Sequence, residues 1–433
     1  MRINRREFLQ LTGAAAAGVA LGPLAGCGSS GGGSSSASGT LTVWGFTGAI
    51  EGVQNQIKAF EKKYPKVNVK LRLFSYDDIH ANLLSAILSG TGAPDLASID
   101  DSRLASYVEG LAPMNAHLSQ YQSQFVPPTI SLSSYRGNFY GLVTDSEPMG
   151  MLYRKDLWDQ YGLNADAIET WDDLAAASAK MQSASGGKVH LYALNDNDTA
   201  AYEILAVEQG FGGFYFDTQD RKVIVDQPAI IDAVTALKRL WDAPGVLQNP
   251  SGGYSGNAMT ALLKKGTIAT CIVSPGWYPQ TLVQNMPEQA GKWRLTRVPA
   301  VTRGGRRAGY QYPTVFVVPN QSNMKSLAWE LEVMGLTGVG ARHLYAVDHV
   351  LPAWAPFFDE LKAKPDPFFG GQKVVEVWNA IAHDCPPIAF GKGFLQAQSI
   401  VSTHLTDILT GKVTPAVGMK TAASELRSKL HLS

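Results

Sequence analysis

The chain has 433 residues, 37 basic and 37 acidic side chains, 45% hydrophobic and 9% aromatic residues. That balance excludes a basic polyanion binder, and a body of about 390 residues is too long for one core, so two lobes are expected. Three cysteines and eight histidines, with no His-x-x-x-His and no Cys-x-x-Cys, indicate no metal site, and no cofactor motif is present.

The chain opens on Asn4-Arg5-Arg6-Glu7-Phe8-Leu9, then a short apolar run to Leu24-Ala25-Gly26-Cys27. That run is too short and too weakly apolar to span a bilayer, which takes ~20 residues. A basic start, a short apolar stretch and small residues read as a cleaved signal peptide over 1–26. Twin arginine before Phe-Leu resembles the signal of the twin-arginine pathway. Leu-Ala-Gly-Cys resembles the lipobox of bacterial lipoproteins, which implies lipid on Cys27, an extracytoplasmic location and attachment to the cell membrane. Residues 27–39 are the lipidated cysteine followed only by Gly, Ser and Ala (28–39), a flexible tether of roughly 20 Å root-mean-square span. Loss of Arg2, Arg5, Arg6 and Glu7 leaves a mature net charge of about −2, so no nucleic acid partner is expected.

Strand and helix patterns then alternate. Thr40–Trp44 reads as a strand, and Val53, Ile57, Phe60 and Tyr64 mark one helix face that Pro65 ends. Val67–Leu73 alternates as a half-buried strand, and Ile79 to Leu88 is a helix stopped by Gly90. Pro94–Ile99 is a third strand, followed by a helix from Ser102 to Val108. This order predicts a doubly wound α/β layout whose ligands bind beyond the strand ends, at Trp44, Phe46, Asp100, Asp101, Ser102 and Arg103. Asp100, Asp101 and Ser102 serve equally well as helix caps, and Arg103 as an ion-pair partner. Further strands are expected at Phe139–Val143, Val189–Leu194, Ile268–Val273 and Val315–Pro319, and helices at Trp171 (capped by Thr170) and Lys325–Thr337. Cys271 and Cys385 permit a disulfide outside the cytoplasm, and two buried thiols are an equal alternative.

The joint order of five segments resembles the family-1 extracellular solute-binding proteins of ABC importers, the group that includes maltodextrin-binding protein. These segments are Leu41-Thr42-Val43-Trp44, Lys58–Pro65, Gly90–Leu96, Tyr140–Leu157 and Lys265–Trp277. The resemblance implies a type II periplasmic-binding-protein-like α/β fold with a cleft between two lobes, each lobe a mostly parallel sheet flanked by helices. It divides the chain into 40–143 plus 313–350 and 147–308 plus 357–433, with crossings near Val143–Glu147, Tyr312–Val315 and Ala346–Pro356. It implies a carbohydrate ligand, mono- or oligosaccharide or amino sugar, gripped by hinge closure and delivered to ABC permease subunits. The expected state is a monomer.

A sugar needs aromatic planes for its C–H faces and carboxylate, amide or guanidinium groups for its hydroxyl rim. By resemblance Trp277 stacks on sugar, with Tyr278 beside it, and the loop of Asn195 and Asp198 reaches the cleft; an Asx-rich turn is the plainer reading of that loop. Asp145 and Glu147, beside the first crossing, are rim acceptors or hinge ion pairs. Tyr310 and Tyr312 flank the return crossing. Trp354, Phe357 and Phe358 lie in a Pro-rich stretch, and Phe390 and Phe394 follow Pro386-Pro387; each is a stacking platform or ordinary core.

Catalysis finds no support: neighbouring acidic pairs point apart, and Gly253-Tyr254-Ser255-Gly256 is no nucleophile elbow. A non-sugar cargo, such as a glycerophosphodiester or polyamine, is the alternative, and an exported glycoside-active enzyme ranks below it. A phosphodiester would call for clustered Arg, and the loops carry more Asp and Glu.

Overall fold

The computed structural model describes residues 38–210, 213–250, 257–276, 282–348 and 350–433. The leader, Cys27 and most of the tether lie outside these residues, as do Trp277 and Tyr278.

The strands are β1 (Gly39–Phe46), β2 (Val67–Phe74), β3 (Leu96–Asp100), β4 (Ser134–Tyr135), β5 (Asn138–Phe139), β6 (Pro148–Arg154), β7 (Tyr192–Leu194), β8 (Val246–Gln248), β9 (Thr270–Val273), β10 (Trp293–Arg297), β11 (Gly309–Tyr310) and β12 (Thr314–Val317). The first sheet runs β12-β3-β1-β2; β1 pairs in parallel with β2 and β3, and β12 returns antiparallel to β3. The buried alternation of Leu41 and Val43 fixes which face of β1 meets the core.

Helix Glu51–Lys63 covers this sheet through Val53, Gln56 and Phe60. Glu51 in its first turn and Lys62 and Lys63 in its last suit the helix dipole. It packs on helices Lys325–Leu336 and Gly338–Asp348, and a Cβ at Gly52 would collide with the Gly335 carbonyl oxygen, so glycine sets this close approach. Helix Tyr76–Ser89 begins at Ser75, whose hydroxyl accepts the Asp78 N–H at 3.2 Å, and ends at Gly90 with φ 75°.

The second sheet is built differently from the expectation of parallel strands. β6 is its centre, and β9, β10 and β11 all pair with it antiparallel. Apolar alternation locates a strand but carries no direction, and parallel pairing here is confined to β7 with β8 and to bridges such as His190↔Ile268. Helix Trp171–Ser185 carries the expected cap in full: Thr170 Oγ1 accepts the Asp173 N–H at 3.2 Å, and Asp173 accepts the Thr170 N–H at 2.9 Å. The core beneath the sheet holds Trp158, Trp171, Trp293 and Trp378.

Two expected strands shorten. Of Phe139–Val143 only Phe139 joins a named ladder; past Gly141, which lies close to Phe316, the chain turns to β12, with Phe316 N–H donating to Leu142 O at 3.0 Å and a single bridge, Val143↔Val315. Val189–Leu194 forms a strand only from Tyr192. The segment after Asp100 is a chain of short turns, Asp101–Arg103, Leu104–Tyr107 and Val108–Gly110, rather than one helix. Nor do the cysteines bridge: Cys271 and Cys385 are both buried free thiols, with Cys385 Sγ donating to Gly309 O at 3.2 Å.

Any side chain at Gly141 would overlap the Phe316 carbonyl oxygen, a backbone atom that cannot swing aside. Gly141→Ala is therefore expected to cost about 2 kcal/mol or more, read as a lowered denaturation midpoint at unchanged m-value.

Candidate functional site

Three segments pass side by side between the sheets. Thr144 N–H donates to Thr314 O at 2.8 Å, Ser146 N–H to Leu351 O at 2.7 Å, and Ala353 N–H to Thr144 O at 3.1 Å. The ends of both sheets converge beside this triple crossing.

From the first sheet come β1 and β3. Phe46 meets Tyr76 edge-on at 5.5 Å between ring centroids, Tyr76 packs on His80 at 4.7 Å, and the Arg103 guanidinium lies 5.6 Å from the Tyr76 ring. Trp44, half-buried, packs on Phe74 at 4.9 Å with Arg72 beside it. Asp100 accepts the Tyr76 hydroxyl at 2.8 Å and the Ser102 N–H at 2.9 Å, so it is a cap and a positioned carboxylate at once. His80 receives the Asp100 N–H on Nε2 at 3.0 Å while Nδ1 faces Tyr76 O at 2.6 Å. Those partners call for a neutral ring with the proton on Nδ1, and burial lowers its pKa accordingly. Asp101 is buried, with no side-chain partner; burial and the nearby charges of Asp100 and Asp145 push its pKa well above the carboxylate range.

At the crossing itself Asp145 and Glu147 are hydrogen-bonded to each other. Burial raises Asp145 to about 6, against the bonds it receives from Glu147 and, at 3.2 Å, from Thr314 N–H. Burial, then the charge of Asp145, pushes Glu147 well above the carboxylate range, so the two carboxyls share a proton. Its carboxyl also meets the Ser274 side chain and the backbone of Gly276 at the end of β9.

The second sheet contributes Glu203, on helix Thr199–Glu208. Its carboxyl takes the Tyr215 hydroxyl at 2.6 Å, the Tyr312 hydroxyl, and the Gln398 side-chain amide at 3.1 Å. Burial raises it to about 8. Around it Phe214, Phe390, Phe394 and Tyr312 form one ring cluster, with Phe214 and Phe390 stacked at 5.0 Å. Asp198 caps the same helix through the Ala201 N–H at 3.0 Å, and burial lifts it to about 6. Glu203 feels the charges of both Asp198 and Asp100, which places the two halves of the site within electrostatic reach.

Phe46, Asp100, Asp101, Ser102, Asp145, Glu147, Asp198 and Tyr312 are thus linked in one region, while Trp44, two residues before Phe46, contacts Phe74 and Arg72 of β2. Several candidates fall elsewhere. Tyr310 is 2% exposed, paired with Pro148, its hydroxyl against Ser146 at 3.0 Å, so it is core rather than a platform. Phe394, also 2% exposed, backs Tyr312 from within the ring cluster. Phe357 and Phe358 are buried in helix Ala355–Leu361, and Trp354 precedes it under Arg342, 5.3 Å away. Asn195 accepts the Asp198 N–H through its backbone oxygen at 3.2 Å, the Asx-rich turn of the plainer reading. Sequence reasoning missed Tyr76, His80, Glu203, Ser274 and Gln398. A single acid inside the otherwise apolar run Ala200–Val207 was the signal for Glu203.

Among the described residues no group of three or more His, Cys, Asp or Glu is arranged to hold a metal, and no helix is long and apolar enough to cross a membrane.

Two α/β sheets joined by three adjacent segments, with aromatic and acidic groups meeting beside them, define a two-bodied solute-binding fold. The chain belongs to the bacterial extracellular solute-binding proteins, whose family model matches residues 46–331. It is 28% identical over 423 residues to the arabinooligosaccharide-binding protein of Bacillus subtilis (strain 168), covering 94% of this chain and 96% of that one. The lactose-binding protein of Rhizobium radiobacter is 24% identical over 391 residues, covering 86% and 89%. Among solved structures, the sugar-binding protein MalE from Xanthomonas citri superposes with a TM-score of 0.76 at 16% identity, over 90% of this chain and 97% of that one. The galacto-N-biose-/lacto-N-biose I-binding protein of Bifidobacterium longum, in complex with lacto-N-biose, gives 0.73 at 19% identity, over 92% and 98%. These likenesses show the type II periplasmic-binding-protein fold.

Proposed function

We propose that this chain captures a carbohydrate, a mono- or oligosaccharide, by closing two lobes on it, and delivers it to the membrane subunits of an ABC importer. The lobes would be 40–143 with 313–350 and 147–308 with 357–433, swinging about the triple crossing. The observation that carries the reading is that rings stand against carboxylates on both sides of the crossing, Phe46 through Tyr76 at Asp100 and Tyr312 at Glu203, with Asp100 and Glu203 within electrostatic reach of each other, which suits C–H faces and hydroxyl rims. The relatives named for arabinooligosaccharide and lactose support it. The same carboxylates disfavour an anionic phosphodiester.

Closure follows from differential affinity. Contacts divided between two lobes exist together only when shut, and shifting a 1:99 equilibrium to 99:1 takes roughly 5.5 kcal/mol. A micromolar Kd, about −8 kcal/mol, leaves room for that. Nothing in this scheme requires bond breaking. Lipid on Cys27 and the tether would hold a monomer beside its permease.

A thermal-shift screen of neutral saccharides is expected to find a stabilising sugar, and Trp44→Ala and Trp277→Ala should each remove the shift. Unchanged shifts in both variants would place the sugar elsewhere.

A further inference from the structure

A cavity of about 130 Å³ opens on the second-sheet side of the site. Its wall is mostly apolar, from Met149, Ile204, Met259 and Val273, and its polar groups are those of Asp198, Gln311, Tyr192 and the Cys271 thiol. Its position ties it to the sugar site. Gln311 precedes Tyr312 and donates its backbone N–H to Glu147 O at 2.8 Å, Ile204 follows Glu203, and Met149 lies two residues past Glu147. Protein interiors rarely leave voids larger than a water molecule, so a space this large beside converging carboxylates is a subsite rather than a packing defect.

Size and chemistry narrow the occupant. A dry apolar cavity of about 150 Å³ admits a benzene-sized guest. A whole pyranose with its hydroxyls is too large and too polar for these walls, since each buried hydroxyl would need a partner. A lone deoxy-sugar methyl would leave most of the space empty and the side chains of Asp198 and Gln311 unused. An acetamido group matches: its methyl suits the Met, Ile and Val surfaces, its N–H suits an acceptor such as the Asp198 carboxyl, and its carbonyl suits a donor such as the Gln311 amide.

Resting on the carbohydrate reading above, we infer that this pocket selects an N-acetylated amino sugar, taking the acetamido group between Asp198 and Gln311 with its methyl against Met149, Ile204 and Met259. The ring and its hydroxyls remain in the cleft beside Glu203 and Tyr312.

Calorimetric titration of the full chain with matched pairs tests this: N-acetylglucosamine against glucose, and N,N′-diacetylchitobiose against cellobiose. The acetylated member of at least one pair is expected to bind tenfold or more tighter. Ala201→Leu, which fills the pocket from its wall, and Gln311→Ala should each bring that ratio close to one, in variants whose unliganded melting temperature shows them folded. Equal or weaker binding of the acetylated sugars, or ratios untouched by both variants, would overturn the inference while leaving sugar binding intact. Absence of binding by any saccharide, these four and the wider screen included, would overturn the functional reading together with it.

Discussion

Glu203→Ala is expected to abolish sugar binding and to lower stability by about 3 kcal/mol. The substitution strips three donors, the Tyr215 and Tyr312 hydroxyls and the Gln398 amide, of a shared acceptor. A buried donor left without a partner costs ~1–3 kcal/mol, and Tyr215 is fully buried. Tyr312 then loses the bond that orients its ring, so the sugar platform goes with the fold energy. Glu203→Gln separates the two effects, because it keeps shape and an acceptor. The carboxyl titrates at about 8 in the folded chain and at ~4.3 when unfolded. The folded state thus holds a proton that the unfolded state releases. That contribution is complete below the unfolded value and is lost as pH rises toward 8, at up to ~1.4 kcal/mol per pH unit. Glu203→Gln, having no such proton, should show a flatter stability profile between about pH 5 and pH 8 in chemical denaturation. A Gln variant with the wild-type slope would mean that Glu203 is ionised in the folded chain.

The second large effect is expected at the crossing. Glu147→Ala should cost about 3 kcal/mol, since the Ser274 side chain, the Gly276 backbone and Asp145 all lose a buried partner. Glu147→Gln should be mild near neutrality and stabilising relative to wild type at alkaline pH. Its amide still donates to Asp145 and cannot become a second carboxylate beside it. The sign follows from both groups being raised. Asp145 contributes stability fully below the unfolded value of ~3.9 and loses it as pH rises through about 6; Glu147 follows at higher pH. Denaturation midpoints of wild type and Glu147→Gln should therefore diverge as pH rises from about 6 to 9. Parallel curves would show that no proton is shared. Because these residues sit where three segments cross, the same titration is expected to loosen closure, so sugar affinity should fall with pH in wild type and hold in the Gln variant.

Much of this was legible in residues with local partners. Gly90 and Thr170 do in the structure what their spacing announces, because a cap is completed within a few residues of itself. Asp100 and Ser102 were legible as loop residues after a strand, and one carboxylate, Asp100, both caps the turn that follows and accepts the Tyr76 hydroxyl. Glu203 was not, since its partners lie at Tyr215, Tyr312 and Gln398, brought together only by tertiary folding. Strand direction around β6 was hidden for the same reason: alternation reports which face is buried, not which neighbour runs alongside. Tyr310 misled because an aromatic beside a crossing looks the same in sequence whether it faces a cleft or, as here, packs behind it.

Hydrogen exchange with and without a saturating saccharide reports whether both halves grip the sugar together. Slowed exchange is expected on both sides at once: at Trp44–Phe46 and Asp100–Arg103 from one sheet, and at Asp198–Ile204 and Gln311–Tyr312 from the other. Protection confined to one side, or lying away from all four segments, would contradict a sugar held between two closing halves.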